Sequence, residues 1–284
     1  MSDTAVRHRV LLSWLTICLV VVNLGLLTIV VLRPDQLGHI YFFNVGQGDA
    51  ILIKTANNHH ILIDGGPDHT IIEQLDTVIP PWQRTLDLVI LTHPHADHAT
   101  GLLAVLEQYH IDQLWYTGTD YSSQTYQTLV QQLSLRQVPT QFANQGDSYH
   151  LDSVSLDVLS PIVEHPVAED PNETSVVSLL RYHNFSILFT GDATAHNEAV
   201  YSSLVPDVDI IKIPHHGSQG SSSAALLSAA RPEVGMIMVG ASNSFGHPHP
   251  DTLAHYQSLG TTLYRTDQDG TTEVVTDGQR YQII

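Results

Sequence analysis

Cysteine is nearly absent from this chain, since Cys18 is the single cysteine among 284 residues. One cysteine cannot form a disulfide within the chain, and Cys18 lies in an apolar stretch, away from every candidate metal ligand. The sequence also contains no G-x-x-x-x-G-K-[ST] loop and no G-x-S-x-G motif. These absences exclude a thiol nucleophile, a P-loop and a serine nucleophile elbow.

Positive charge is scarce as well. Lysine and arginine number 11 against 29 aspartates and glutamates, the formal net charge is −18, and the only lysines are Lys54 and Lys212. This balance opposes the phosphate attraction on which most nucleic-acid affinity depends. A polyanionic substrate would therefore require bound cations. The 18 histidines, several of them clustered, direct attention to metal chemistry.

The composition and length predict a folded α/β protein. Hydrophobic residues make up 43% of the chain and charged residues 14%, which argues against disorder. A chain of 284 residues suits one large domain with a sizeable core.

An almost purely apolar stretch, residues 10–32, is long enough for a helix that crosses ~30 Å of hydrocarbon. A cleaved signal peptide is the alternative interpretation. Its apolar region normally spans only ~7–15 residues and ends in small residues, whereas Leu-Arg-Pro-Asp follows here. We therefore expect a membrane anchor.

The charges beside this stretch predict its orientation. Arg7 and Arg9 precede it and Arg33 alone follows, so the N-terminus is expected in the cytoplasm and the rest of the chain outside. The expected organisation is a cytoplasmic N-terminus, a single-pass signal-anchor helix, a hinge and a hydrolase domain, at residues 1–9, 10–32, 33–38 and 39–284.

The rest of the chain alternates between strand-like and helix-like segments. Strands are expected at 39–45, 50–55, 60–64, 86–92, 154–160, 176–182, 185–190, 208–213 and 234–240. Helices are expected at 98–109, 122–136, 195–204, 222–230 and 251–260. Asp-Gly turn signals in the tail, residues 261–284, favour a closing β-meander. The pattern predicts a mixed α/β sandwich of two sheets with helices outside.

The hexapeptide His93-Pro94-His95-Ala96-Asp97-His98 directly follows a buried strand-like run. In such a loop, His93 and His95 can share one metal while Asp97 and His98 face a second. Imidazole and carboxylate ligands in open coordination suit zinc, or manganese if the share of oxygen grows.

Further candidate ligands also follow apolar strands. Asp192 ends the run SILFTGD, and His215 and His216 end IIKIPHHGS. Strand ends that converge on one edge of an α/β sheet are a common place for a site. We therefore expect these side chains to join the hexapeptide.

These motifs resemble the metallo-β-lactamase superfamily, whose signature is the H-x-H-x-D-H loop. The chain is similar in particular to the C-terminal hydrolase domain of ComEC/Rec2 DNA-uptake proteins and its stand-alone relatives. The matching segments are FNVGQGDAILI (43–53), ILIDGG (61–66), VILTHPHADHATGL (89–102), NETSVVSLL (172–180), ILFTGD (187–192), IKIPHHGS (211–218), GASNSFGHPHP (240–250) and YRTDQDG (264–270). The resemblance implies an αββα sandwich.

The resemblance also implies roles for individual residues. His93 and His95 would bind the first metal, Asp97 and His98 the second, and Asp192 both. A late histidine would join the second metal, and its place before a small residue favours His216 over His215. No histidine stands where many members place a third ligand of the first metal; Asn172 is the nearest candidate there.

Several other residues are candidates for supporting roles. Asp64 either orients ligands through hydrogen bonds or simply follows a strand in a turn, and Asp49 is first a turn residue and second a support of the active site. His247 and His249 lie in a proline-rich loop, typical of a surface turn. The resemblance brings this loop to the pocket, where an imidazole, His247 before His249, could bind a phosphate oxygen or protonate a leaving group.

The expected activity is hydrolysis by a metal-bridging hydroxide at two divalent ions, with zinc preferred and manganese the alternative. Asp97, Asp192 and His247 are the expected catalytic residues. The preferred substrate is a phosphodiester, either DNA or a wall polymer, and no stable protein partner is indicated. The alternatives are a lactam or thioester hydrolase and a non-catalytic, metal-stabilised accessory to DNA uptake or wall machinery.

Overall fold

A computed structural model describes residues 3–31, 35–162 and 169–284. Residue 32 of the predicted anchor and residues 33–34 of the predicted hinge lie outside these ranges. The chain divides into two compact units, Met1–Asp35 and Gln36–Ile284.

The first unit contains one helix, α1, at Asp3–Val31, which begins before the predicted anchor does. Within the three described ranges, no helix reaches the combination of length and hydropathy that crossing a bilayer requires.

The second unit contains all the strands that the structure describes. They are β1 (Gly38–Phe42), β2 (Ile51–Lys54), β3 (His60–Ile63), β4 (Thr85–Leu86), β5 (Leu88–Ile90), β6 (His110–Ile111), β7 (Leu114–Tyr116), β8 (Thr140–Phe142), β9 (Ser148–Leu151), β10 (Val154–Ser160), β11 (Val177–Tyr182), β12 (Phe185–Phe189), β13 (Ile210–Lys212), β14 (Val234–Ile237), β15 (Thr262–Arg265), β16 (Thr272–Thr276) and β17 (Tyr281–Ile283). The helices are α2 (Thr70–Val78), α3 (Ala96–Gln108), α4 (Gln124–Leu135), α5 (Ala195–Tyr201), α6 (Ala224–Ala230), α7 (Pro250–Ser258) and α8 (Thr266–Asp269).

The strands form two large sheets, with β4 and β6 as a separate pair. The first sheet has the order β17-β16-β1-β2-β3-β5-β7-β8, and the second has the order β15-β14-β13-β12-β11-β10-β9. In each sheet an antiparallel part adjoins a parallel part, which comprises β3, β5, β7 and β8 in the first sheet and β12 to β15 in the second. Helices alternate with the parallel strands because a parallel connection needs a crossover.

Three apolar clusters separate four layers. Along β2, Ile51 and Ile53 belong to the core between the sheets, whereas Leu52 faces α2, α3 and α4 on the other side. A third cluster joins the second sheet to α5, α6 and α7. Side chains alternate between the two faces of a strand, so strands covered on both faces are apolar throughout. The αββα sandwich expected from the resemblance is confirmed.

One local expectation was wrong, and several elements were not predicted. No helix was expected where α2 forms, yet Ile71, Ile72 and Leu75 are buried along one face of it. The short strands β7, β8 and β9 were also not expected. The tail is not a closing meander: β15 pairs in parallel with β14 in the second sheet, whereas β16 pairs with β1 in the first. The chain changes sheets at α8, a helical turn at residues predicted to form a simple turn.

Candidate metal centre

The histidine hexapeptide bridges the end of β5 and the start of α3. His95 is the N-cap of α3 and has an extended backbone, so His93 and His95 precede the helix while Asp97 and His98 lie in its first turn. The helix predicted from residue 98 thus begins two residues earlier, and the prediction that all four residues share one loop is wrong for Asp97. Side chains on the first turn of a helix are held more rigidly than side chains on a loop.

Helix α3 lies very close to the turn that follows β3. The nitrogen of Gly65 donates to the carbonyl oxygen of His98 at 2.8 Å, and the nitrogen of Gly101 donates to that of Gly66 at 3.0 Å. A Cβ on Gly101 would lie 1.9 Å from the carbonyl oxygen of Gly65, so only glycine allows this approach. The approach brings Asp64 within hydrogen-bond distance of His98.

The second sheet contributes the remaining residues. Because β12 and β13 are parallel neighbours, Asp192, which follows β12, lies beside His215 and His216, which follow β13. The two histidines have φ angles of 49° and 52°, in the left-handed region that strains residues with a Cβ. The expectation of one sheet edge is thus corrected: strand ends from both sheets meet here.

One oxygen of Asp192 lies at the centre of the cluster. Its Oδ2 is 3.1 Å from Nε2 of His216, 3.4 Å from Nε2 of His98, and 4.0 Å from Nε2 of both His93 and His215. This common oxygen is the only atom of the cluster that faces four imidazoles in the described part of the chain.

Asp97 and His95 complete the cluster on either side. Oδ2 of Asp97 is 3.5 Å from Nε2 of His216 and 3.9 Å from Nε2 of His98. The side chains of Asp97, His98, Asp192 and His216 offer ligand atoms that all lie within 4.8 Å of one another, a group able to hold a metal ion. On the other side, Nδ1 of His95 lies 3.1 Å from Nε2 of His93.

Hydrogen bonds to Nδ1 fix which nitrogen of two of these histidines carries its proton. Nδ1 of His98 donates to Oδ2 of Asp64 at 2.8 Å, and Nδ1 of His216 donates to the carbonyl oxygen of Met238 at 2.7 Å. The Nε2 atoms of both histidines are buried and have no hydrogen-bond partner among the described residues. Two orphaned lone pairs that face the same carboxylate are what a divalent ion would satisfy.

A similar relay fixes His93. The hydroxyl of Thr92 donates to Oδ2 of Asp64 at 2.7 Å, so its oxygen accepts from Nδ1 of His93 at 3.1 Å. Nε2 of His93 is thereby left as an acceptor directed at His95 and Asp192. Asp64 therefore orients one histidine directly and a second through Thr92, which is one of the two roles predicted for it.

Lys212 was missed as a member of this cluster. Its Nζ is fully buried and lies 2.5 Å from Oδ2 of Asp49, 2.7 Å from the carbonyl oxygen of Gly191, and 3.4 Å from Oδ1 of Asp192. Asp49 is equally buried, and its Oδ1 lies 3.4 Å from Nδ1 of His216. A charged residue inside the apolar strand run VDIIKI was the available signal.

The charges in the cluster favour bound cations. Burial opposes ionisation of Asp192, but His216, His98 and Lys212 together hold its pKa well below its usual value. Burial likewise opposes protonation of His98 and His216, yet the surrounding carboxylates, Asp192 foremost, hold both pKa values well above the usual range. The carboxylates thus attract positive charge to the imidazoles, whether from protons or from metal.

A cavity of about 340 Å³ opens onto this cluster, and we call it the metal cavity. It is lined by Gln47, His95, Ala96, Asp97, Asn172, Asp192, His215, His216, Phe245 and His247. Asn172 is 6% exposed, and its Nδ2 lies 3.5 Å from Nε2 of His215. Gln47 and Phe245 were not expected at the site.

The two histidines of the proline-rich loop lie in different surroundings. The ring centroid of His247 is 5.6 Å from that of His215, so His247 faces the metal cavity. His249 instead accepts a hydrogen bond from the backbone nitrogen of Asp251 at 3.2 Å and caps α7.

The fold and the cluster of histidine and aspartate side chains define a class of protein. Residues 43–241 match the family model described as the metallo-beta-lactamase superfamily, and the chain belongs to that family. It is a metal-dependent hydrolase, and its donor set suits divalent metal ions.

Two proteins are similar to this chain in sequence over most of its length. The chain is 30% identical over 235 residues to Recombination protein 2 of Haemophilus influenzae, with 81% of this chain and 28% of the relative covered. It is 25% identical over 253 residues to ComE operon protein 3 of Bacillus subtilis, with 82% and 32% covered. The chain thus spans about a third of the length of these relatives. The predicted ComEC/Rec2 resemblance is confirmed.

A solved structure shows the same fold. The metallo-beta-lactamase fold protein YhfI of Bacillus subtilis superposes with a TM-score of 0.57 at 13% identity, covering 84% of this chain and 99% of that protein.

Proposed function

We propose that this chain hydrolyses phosphodiesters at a pair of divalent metal ions. The observation that supports the proposal is the single oxygen of Asp192, Oδ2, which faces histidines of two groups at 3.1–4.0 Å. In this proposal His93 and His95 would hold one ion and Asp97, His98 and His216 the other. Asp192 would serve both, and Asn172 is available to the first.

Two divalent ions held in this way lower the pKa of water towards neutrality and polarise a phosphoryl oxygen. The chain itself supplies orientation. Asp64 and Met238 hold the Nε2 atoms of His98 and His216 towards Asp192 through their hydrogen bonds to Nδ1. Ligands fixed in this way need no rearrangement when substrate binds.

The metal cavity contains two imidazoles that this ligand assignment leaves unused, His215 and His247. Burial lowers the pKa of both, so they favour the neutral form, which can donate one N–H hydrogen bond to a phosphoryl oxygen. Donors aimed at an anionic oxygen beside bound cations suit a phosphate better than a neutral lactam. This is the reason for preferring a phosphodiester, and DNA or a wall polymer is the proposed source.

Zinc is the proposed metal because imidazole nitrogens dominate the ligands, and manganese is the alternative because carboxylates and the Asn172 amide are also present. Metal content and bis(p-nitrophenyl) phosphate turnover, measured together, test the proposal. The wild type is expected to hold about two ions per chain, and Asp192→Ala and His95→Ala to abolish turnover. Metal binding without phosphodiester turnover would exclude this substrate class and favour a lactam or thioester.

We also propose, from the sequence alone, that residues 10–32 anchor the chain in a membrane with the hydrolase domain outside the cytoplasm. The apolar stretch and the preceding Arg7 and Arg9 support this proposal. Carbonate extraction of membranes and protease treatment of intact cells test it. Release of the full chain by carbonate would exclude an integral anchor.

A further inference from the structure

A second cavity lies next to the metal cavity, and we call it the aromatic groove. Its volume is about 570 Å³, and its aromatic lining consists of Tyr116, Tyr121, Tyr126 and Phe142. The ring centroid of Tyr121 is 5.5 Å from that of His95, and His95 in turn lines the metal cavity. The two cavities therefore adjoin at the Tyr121–His95 contact.

Tyr116 at the end of β7 and Phe142 at the end of β8 pack against each other with their ring centroids 5.1 Å apart. The other wall is one face of α4, formed by Gln127, Val130, Gln131, Ser134 and Leu135. Rings presented by two neighbouring strands give the groove a firm aromatic wall.

The segment that carries Tyr121 is tied to the metal cavity by buried hydroxyls. The hydroxyl oxygens of Thr117 and Thr119 are 2.8 Å apart, and the hydroxyl of Thr119 donates to that of Thr174 at 3.0 Å. Thr174 ends the short helical turn that presents Asn172 to the metal cavity. Direct hydrogen bonds thus fix the position of the segment that carries Tyr121 relative to the turn that carries Asn172.

The charge of the groove restricts what it can bind. Among the described residues, Asp120 is the one charged residue in its lining, and no lysine or arginine contributes to it. The lining offers no cationic side chain to pair with a phosphate, whereas an uncharged ring can stack on tyrosine and phenylalanine. A cavity of this volume accommodates a small organic group.

We propose that the aromatic groove binds an uncharged planar ring that is attached to the phosphodiester whose phosphate occupies the metal cavity. The ring is an aryl group or a nucleobase carried by the ester on the His95 side. This inference rests on the proposed function, because the metal cavity must take the phosphate for the ring to reach the groove.

Two monoanionic diesters that differ in one substituent test the inference. Binding of 1-naphthyl methyl phosphate and of dimethyl phosphate to the metal-loaded full chain is measured by calorimetry. We expect the naphthyl ester to bind at least about fivefold more tightly, as stacking of one ring implies. Gln131 is an exposed residue of α4 that lines the groove. The tryptophan side chain of Gln131→Trp should fill the groove and abolish the preference for the naphthyl ester.

Two further variants control the comparison. Phe142→Ala removes one ring and should reduce the preference. Gln124→Trp places the same large side chain at an exposed position of α4 outside the groove lining and should leave the preference unchanged.

Each outcome separates this inference from the proposed function. A naphthyl preference that Gln131→Trp abolishes supports the groove even if no phosphodiester is hydrolysed, in which case only the proposed function fails. Equal binding of the two diesters, or a preference that Gln131→Trp leaves intact, overturns the groove while turnover remains a separate result. A change of oligomeric state in Gln131→Trp without ring binding would make this face a contact between copies and also overturn it.

Discussion

Nζ of Lys212 lies 2.5 Å from Oδ2 of Asp49, and both residues are at most 1% exposed. The same ammonium group contacts Oδ1 of Asp192, so Asp192 has its other oxygen, Oδ2, left to face the histidines. Asp49 and Asp192 raise the pKa of Lys212 in spite of its burial. One buried cation thus offsets part of the negative charge of the cluster and orients its central carboxylate.

Replacing Lys212 by methionine should destabilise the chain by about 3–5 kcal/mol, because Asp49 and Asp192 then remain buried without their cation. Adding Asp49→Asn to Lys212→Met should recover part of this loss. Urea unfolding in the presence of a chelator measures both. The control is Lys54→Met, the only other lysine, for which a change within about 0.5 kcal/mol is expected. Equal losses at the two lysines would contradict the role of Lys212.

Alanine substitutions of His216 and His215 should have different effects on the affinity for divalent ions. Nε2 of His216 is buried 3.1 Å from Oδ2 of Asp192 and has no hydrogen-bond partner among the described residues, whereas the His215 side chain is 25% exposed and its Nε2 lies 4.0 Å from that oxygen. His216→Ala should weaken divalent-ion binding at least on the order of 100-fold, while His215→Ala should keep the ions and lose turnover.

Thermal unfolding with and without a chelator checks this difference independently of turnover. Bound ions at about 100 times their dissociation constant stabilise the native state by about 2.7 kcal/mol. The shift on chelation should therefore become smaller in His216→Ala, which keeps the proposed ligands of the first ion, and should persist in full in His215→Ala. The opposite pattern would assign the ligand to His215.

His247 and His249 should differ in catalysis. Because burial favours neutral His247, we expect it to donate a hydrogen bond to a phosphoryl oxygen. His247→Ala should then lower kcat/KM at least about tenfold, by similar factors for diesters with good and with poor leaving groups. A loss confined to poor leaving groups would instead show proton donation by His247. His249→Ala removes a helix cap and should leave kcat/KM unchanged.

Buried His60 should make stability depend on pH. Burial lowers its pKa from 6.5 to about 4, so below pH 6.5 the unfolded chain takes up a proton that the folded chain binds only near pH 4. Its contribution is therefore lost as the pH falls from 6.5 to 4, on the order of 3 kcal/mol in all.

The free energy of unfolding of chelated protein, measured across this range, tests the effect. His60→Gln should flatten the pH dependence, while His110→Gln, at a histidine whose side chain is 73% exposed, should not. Parallel profiles for the wild type and His60→Gln would contradict the prediction.

Much of the fold could be predicted because its signals are local. The apolar runs around β2, β3, β5 and β12 and the periodic segments at α3 to α7 identify themselves by composition and spacing. The residues that meet at Asp192 could be suspected for the same reason, since each follows a buried strand. The strands β8 and β9 were missed because they lie at the edges of the two sheets and are only partly buried, so they carry no continuous apolar run.

The local sequence specifies which residue types follow the strands, and those residue types already indicate a metal hydrolase. Which of these residues come into contact depends on the packing of the two sheets. Asp49 joins Lys212, Tyr121 reaches His95, and β16 pairs with β1, because packing of the two sheets brings together residues far apart in the chain. The different positions of His216 and His215 likewise depend on their left-handed backbone and on the hydrogen bond from His216 to the carbonyl oxygen of Met238. No local sequence pattern specifies either feature.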